Sequence, residues 1–156
     1  MSVKLNLGCW WMKKDGWINI DADPKYGDVV MDAFNLGYPD NYADEIYAGH
    51  LLEHTPNPLK ALTEWNRVLK IGGYITVVVP DMAKCLVSPM DFENLRADCK
   101  QTELDTVAYG LRNRPGEFHY HIYTETILVE YMNKFFKDVT VLETPIKWET
   151  RVGGVK

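Results

Sequence analysis

Hydrophobic positions in the first fifty residues come in short blocks rather than at helical spacing. Val3 to Leu7 runs into Gly8, Trp17 to Ile20 into Asp21 and Asp23, Asp28 to Met31 into Asp32, and Glu45 to Ala48 into Gly49. Each block has the length of a buried strand and ends in a small or acidic residue. The period then changes. From Asn57 to Lys70 the apolar Leu59, Leu62, Trp65, Val68 and Leu69 recur at threes and fours, with Lys60, Glu64, Arg67 and Lys70 on the other sides. This predicts an amphipathic helix with Pro58 in its first turn and Gly72-Gly73 at its end. Tyr74 to Val79 (YITVVV) is β-branched almost throughout and predicts a central strand covered on both faces, stopped by Pro80-Asp81. Residues 82–117 are the least regular and read as a lid or substrate-facing insert, with a helix over about Asp91 to Ala108 and a turn at Asn113-Arg114-Pro115-Gly116. Thr124 to Phe136 predicts a second amphipathic helix, capped by Thr124 or Thr126, before strands at Asp138 to Leu142 and near Lys147 to Val152.

Strands joined by crossovers and closed by a strand pair predict an α/β sheet that is mostly parallel, with an antiparallel C-terminal strand. Only Gly8 to Gly16 separates the first two strands, fewer residues than the dozen or so a helical crossover takes, so the first helix is reduced or absent. Composition narrows the class without changing this picture. With 17 Lys+Arg against 22 Asp+Glu in 156 residues, 46% of them hydrophobic, the chain reads as one mildly acidic globular domain over residues 1–156. Its charge disfavours nucleic acid. No apolar run approaches the roughly 20 residues that span a bilayer, and the first strand leaves no room for a secretory leader. Cys9, Cys85 and Cys99 form an odd set without C-x-x-C, which argues against a disulfide framework or a zinc ribbon and for the cytoplasm.

Ligands of open parallel sheets sit at the carboxyl ends of strands where the strand order reverses. Gly8, Asp21, Asp32 and Gly49 fall at such ends. A glycine there admits close backbone approach, and an acid ending the second strand can accept from both hydroxyls of a ribose. The residues thus point to a ligand containing a nucleoside.

KLNLGC (Lys4 to Cys9), WINIDAD (Trp17 to Asp23), MDAFNLGYPDNYADEIYAGHLLEH (Met31 to His54) and EWNRVLKIGGYITVVVPD (Glu64 to Asp81) follow one another in an order that resembles the class I S-adenosylmethionine-dependent methyltransferases. RPGEFHYHIYT (Arg114 to Thr124) and KWETRVGGVK (Lys147 to Lys156) extend the resemblance over nearly the whole chain, to the small subgroup with a short first crossover. It implies a Rossmann-like, doubly wound sheet and S-adenosylmethionine as cofactor. It also implies that Gly8 and Cys9 contact the methionine part, Asp21 the ribose, Asp32 with Ala33 the adenine edge, and Gly49 with His50 the floor near the sulfonium. Methyl transfer to a small-molecule or glycan-like oxygen or nitrogen acceptor follows as the expected activity, with a homodimer left open.

The chain departs from that pattern where Gly-Cys-Gly is usual, because Trp10 and Trp11 follow Cys9. The Trp10 indole either turns outward, stacks on the cofactor or fills the place of the methionine tail. The last case would make the chain an inactive binding or regulatory module on the same fold. His50 and His119 are the candidates for a general base, since imidazole titrates near neutral pH. HLLEH (His50 to His54) also matches the H-x-x-E-H of inverted zinc peptidases, but Pro56 and Pro58 break the helix that chemistry requires. No spacing motif unites His50, His119 and His121, and no metal site is expected. His54 reads as a buried hydrogen-bonding residue, and Arg112 and Arg114 as a solvated pair beside a turn. A nicotinamide enzyme is disfavoured, because G-x-G-x-x-G is absent after the first strand.

Overall fold

The blocks read as strands pair with one another. In the computed structural model, which describes residues 2–87 and 118–156, the strands are β1 (Lys4–Leu7), β2 (Ile18–Asp21), β3 (Val29–Val30), β4 (Ala43–Gly49), β5 (Leu69–Pro80), β6 (Lys137–Leu142) and β7 (Glu149–Val155). They form one sheet of order β3-β2-β1-β4-β5-β7-β6. β1 to β5 run parallel, and β7 lies antiparallel between β5 and β6. The order reverses between β1 and β4, so Gly8 and Gly49 flank the switch point. The helices are α1 (Pro58–Val68), α2 (Met82–Val87) and α3 (Glu125–Met132), with a 3-10 turn at Leu52–His54. The helix expected over about 91–108, most of the proposed insert, Cys99 and the Arg112–Arg114 pair lie outside the described residues.

Strand alternation divides the sheet into two unlike faces. Leu5, Leu7, Ile46, Ala48, Ile75, Val77, Val79 and Val152 share one core with Ala61, Leu62, Trp65 and Val68 of α1 and Leu128 and Met132 of α3. On the opposite face the intervening positions carry Asn6, Asn19, Tyr47, Thr76 and Arg151. The crossover from β1 to β2 runs without a helix, as its length requires, and side-chain amides satisfy its backbone instead. Asn19 Oδ1 accepts from Lys14 N at 2.8 Å and from Asn6 Nδ2 at 2.8 Å, and Asn6 Nδ2 also donates to Met12 O at 3.0 Å. Asn19 Nδ2 in turn donates to Lys14 O and to Asp28 Oδ2.

α1 begins as expected, with Asn57 Oδ1 accepting from Lys60 N at 3.0 Å and Pro58 in the first turn. It ends two residues early, and Gly72-Gly73 lies inside β5 rather than at a helix end. The carbonyls at its end accept from outside the helix. Asn41 N donates to Arg67 O at 2.9 Å and Tyr42 N to Val68 O at 2.7 Å, and Lys156 Nζ donates to the Leu69 and Arg67 carbonyls at 2.8 and 3.3 Å. The backbone of Lys156 pairs with Gly72 and Gly73 at 3.1 Å each, with Gly72 at φ +78°. The second expected helix similarly stops at Met132 rather than Phe136, where Asn66 of α1 binds the Phe135 carbonyl at 2.8 Å. β7 reaches Val155 because β5 offers it a partner as far as Tyr74.

Candidate functional site

The carboxyl ends of β1, β2 and β4 converge as the sequence requires. Gly8 takes φ +60°, and Trp10 and His50, on either side of the switch point, also sit in the left-handed region at +42° and +51°. Such backbone costs energy for a non-glycine residue and concentrates at functional sites. The glycines are needed by the chain's own packing as well. A Cβ at Gly8 would stand 2.7 Å from a methyl of Leu51, and one at Gly49 would stand 2.7 Å from the Tyr47 ring. A cavity of about 70 Å³ lies between them, lined by Asn6, Gly8, Cys9, Met12, Lys14, Tyr47 and Gly49. Lys14 Nζ sits 3.9 Å from the Tyr47 ring centroid. Burial, with Arg151 nearby, pulls the Lys14 pKa down.

Asp21 ties the crossover down from the second strand end. Its Oδ2 accepts from Trp10 N at 2.8 Å and its Oδ1 from Asp23 N at 2.9 Å. A carboxylate offers about four acceptor positions, so capacity for hydroxyl donors remains. The Trp10 ring does not line the cavity. It packs edge-on against Trp11 and Tyr26, at centroid distances of 5.7 and 6.1 Å. Cys9 is buried, and burial together with Asp21 raises its pKa, so it stays a thiol. Asp32 Oδ1 accepts from Phe34 N at 2.8 Å, and the Ala33 carbonyl accepts from the Trp65 indole at 2.8 Å. These bonds hold the loop after β3 on α1.

His50 lies in a different electrostatic setting from that of a base. Its Nε2 is 3.0 Å from Glu149 Oε2, and its Nδ1 is 3.6 Å from Glu53 Oε1. Burial opposes charge on the ring, but the two carboxylates outweigh it and raise the pKa to about 9. Near neutral pH the imidazole therefore holds its proton, which leaves no lone pair to remove one from an acceptor. Glu149 itself is buried. It also accepts from Thr144 Oγ1, lies 3.4 Å from Arg151 and borders a larger cavity of about 340 Å³ beside Lys84, Leu142 and Ile146. The His119 ring lies 4.8 Å from that of His54. His121 instead meets the Pro56 carbonyl at 3.4 Å. Glu53 and Glu149 escaped sequence reasoning, because an acid inside a helical turn or opening a terminal strand carries no local sign of which histidine it will face.

Residues 13–77 match the family model described as a methyltransferase domain. Over 61 residues the chain is 34% identical to an uncharacterized methyltransferase of Schizosaccharomyces pombe, covering 39% of this chain and 22% of that protein. Over 62 residues it is 36% identical to the ubiquinone/menaquinone biosynthesis C-methyltransferase of Coxiella burnetii, covering 40% and 24%. The chain thus spans less than a quarter of the length of these relatives. Among solved structures, the fold is similar to a SAM-dependent methyltransferase from Archaeoglobus fulgidus, with a TM-score of 0.67 at 14% identity, covering 99% of this chain and 86% of that one. It is also similar to the 1,6-didemethyltoxoflavin-N1-methyltransferase of Burkholderia thailandensis, solved with 1,6-didemethyltoxoflavin and S-adenosylhomocysteine bound, with a TM-score of 0.63 at 14% identity, covering 99% and 71%. Among the described residues no helix is long and apolar enough to cross a membrane.

Proposed function

We propose that the chain is a class I S-adenosylmethionine-dependent methyltransferase, which binds S-adenosylmethionine at the β1–β4 switch point and methylates a small acceptor; the methyltransferase-domain match over residues 13–77 and the fold support this reading. The carrying observation is the cavity between Gly8 and Gly49 at the switch point, with Asp21 at the end of the neighbouring strand bound to Trp10 N and strained backbone at Trp10 and His50 on either side. Asp21 would hold the ribose hydroxyls with the lone pairs its two amide donors leave free. Gly8 and Cys9 would seat the methionine end, and Asp32 with Ala33 the adenine edge. The described cavity is smaller than the roughly 300 Å³ at which ligand sites begin, so the long side chains of Met12 and Lys14 must swing aside on binding. Trp10, packed on Trp11 and Tyr26, is placed to flank the ligand rather than to plug its site.

The cofactor supplies an electrophilic methyl group on a sulfonium when bound. The protein's share is placement. Its residues hold donor and acceptor in line and keep water out, so that little entropy remains to be lost in the reaction. His50, held as a cation between Glu149 and Glu53, fixes the end of β4 rather than taking the acceptor proton. A small-molecule or glycan-like oxygen or nitrogen acceptor remains our reading, and the Burkholderia enzyme's small heterocycle is compatible with it.

Calorimetric titration with S-adenosylhomocysteine tests this. Micromolar binding is expected, weakened in Asp21→Ala by about 1 to 3 kcal/mol as the hydroxyls lose a charged acceptor. Absence of binding at millimolar ligand, in protein whose melting curve shows it folded, would overturn the proposal.

A further inference from the structure

Glu53, His54 and His119 converge from two segments distant in sequence, with one ligand atom of each inside a group whose members all lie within 4.8 Å of one another. The Glu53 side chain is 1% exposed, yet neither of its carboxylate oxygens has a hydrogen-bond partner. Burying carboxylate oxygens without a hydrogen bond is costly. The neighbouring imidazoles favour the charged carboxylate against its burial but give it no direct hydrogen bond. His50 Nδ1 stands 3.6 Å away and His54 Nε2 4.0 Å away, both beyond hydrogen-bond contact.

The tautomer of His54 follows from its other nitrogen. Nδ1 is 3.2 Å from the Phe118 carbonyl oxygen, which can only accept, so Nδ1 carries a proton and Nε2 is the nitrogen that faces Glu53. Imidazoles that ligate metals are commonly held in this way, by a carbonyl on the second nitrogen. The two segments are also clamped by backbone, with Tyr120 N donating to Glu53 O at 2.8 Å. His121 on the Pro56 carbonyl adds a second tie outside the cluster. His54 and the Glu53 backbone are therefore positioned by bonds that leave out His54 Nε2 and the Glu53 carboxylate.

We propose that Glu53, His54 and His119 form a binding site for a divalent transition-metal ion of the zinc class, with two imidazoles and one carboxylate as protein ligands and at least one coordination position left to solvent or a ligand. Two nitrogens and one oxygen suit Zn²⁺ or Co²⁺, whereas Mg²⁺ and Ca²⁺ take oxygen ligands. A metal ion there gives the Glu53 carboxylate oxygens the direct partner they lack. This arrangement differs from the peptidase reading of HLLEH, because His50 faces Glu149 and takes no part. The inference concerns metal binding alone and stands apart from methyl transfer.

Protein of the full sequence, dialysed against a chelator, is titrated with Co²⁺ and followed by its visible d–d absorption, then back-titrated with Zn²⁺ and with Mg²⁺. One equivalent of Co²⁺ should bind, be displaced by Zn²⁺ and be indifferent to Mg²⁺. His119→Gln and His54→Gln, which keep side-chain bulk, should each weaken binding at least tenfold, and His121→Gln should leave it unchanged. Zn²⁺ should raise the melting temperature of the parent and of His121→Gln but not of His119→Gln. Near-ultraviolet circular dichroism shows which variants fold, and His119→Gln carries the decision if His54→Gln does not. No saturable uptake of Co²⁺, displacement by Mg²⁺, or one-equivalent binding that survives His119→Gln would overturn the site.

Discussion

Asn19 is 4% exposed and its amide serves Lys14, Trp17, Asp28 and Asn6 at once. A buried amide of this kind takes the place of the helix that the ten-residue crossover lacks. Asn19→Ala should destabilise the protein by about 1 to 3 kcal/mol, the cost of stranding buried polar partners, read as a lower urea midpoint at unchanged slope. Near-wild-type stability would mean that water replaces the amide. Asp21 shows how far single residues were legible. Its place at a strand end marked it in the sequence, but its two backbone amide donors, Trp10 and Asp23, appear only once the loop is folded. His50 shows the limit. A histidine after a strand-ending glycine reads as a base, and only the approach of Glu149, 99 residues away in sequence, makes it a cation.

At the scale of elements, α1 is held to the loop after β3 by one charged cluster. Glu64 accepts from Leu36 N and, through both oxygens, from Arg67, each at 2.8 Å, and Arg67 also binds Asp40 and the Tyr38 carbonyl. The hydrogen bond from Arg67 leads the effects that lower the Glu64 pKa below its ordinary value of 4.5, against a smaller opposing effect of burial. The folded-state value is depressed, so this stability is complete above pH 4.5 and is lost as pH falls from there through the folded value. Melting temperatures between pH 6 and pH 3 should therefore fall, and Glu64→Gln should lower the plateau by about 1 kcal/mol and flatten part of that fall. A parallel drop in both proteins would assign the acid limb to other carboxylates. The helical period from Leu59 to Leu69 announced α1, but its end meets donors from elsewhere, the amides of Asn41 and Tyr42 and the side chain of Lys156, which reaches the Arg67 and Leu69 carbonyls from 87 or more residues away. Capping by a residue so remote has no signature in the local pattern.

Across the whole molecule, one core runs beneath the described strands, from Ile20 of β2 to Val152 of β7. Leu7 and Val152 lie on different strands of it and are both fully buried. Leu7→Ala should cost about 2 to 5 kcal/mol, and Val152→Ala less, with both shifting one and the same unfolding transition seen by tryptophan fluorescence and by circular dichroism. Separate transitions would show that the β7 edge unfolds independently. The strand blocks, the change of period at Asn57, the short first crossover and the small or acidic residue at each strand end were determined by the sequence itself, because alternation and amphipathicity are local consequences of which side chains must leave water. The tertiary structure alone decided which charges meet. Glu53, Glu149, His50, His54 and His119 acquire their character from partners that the sheet order and the return of the segment at 118–121 bring within a few ångströms, and electrostatic energy depends on that distance rather than on separation along the chain.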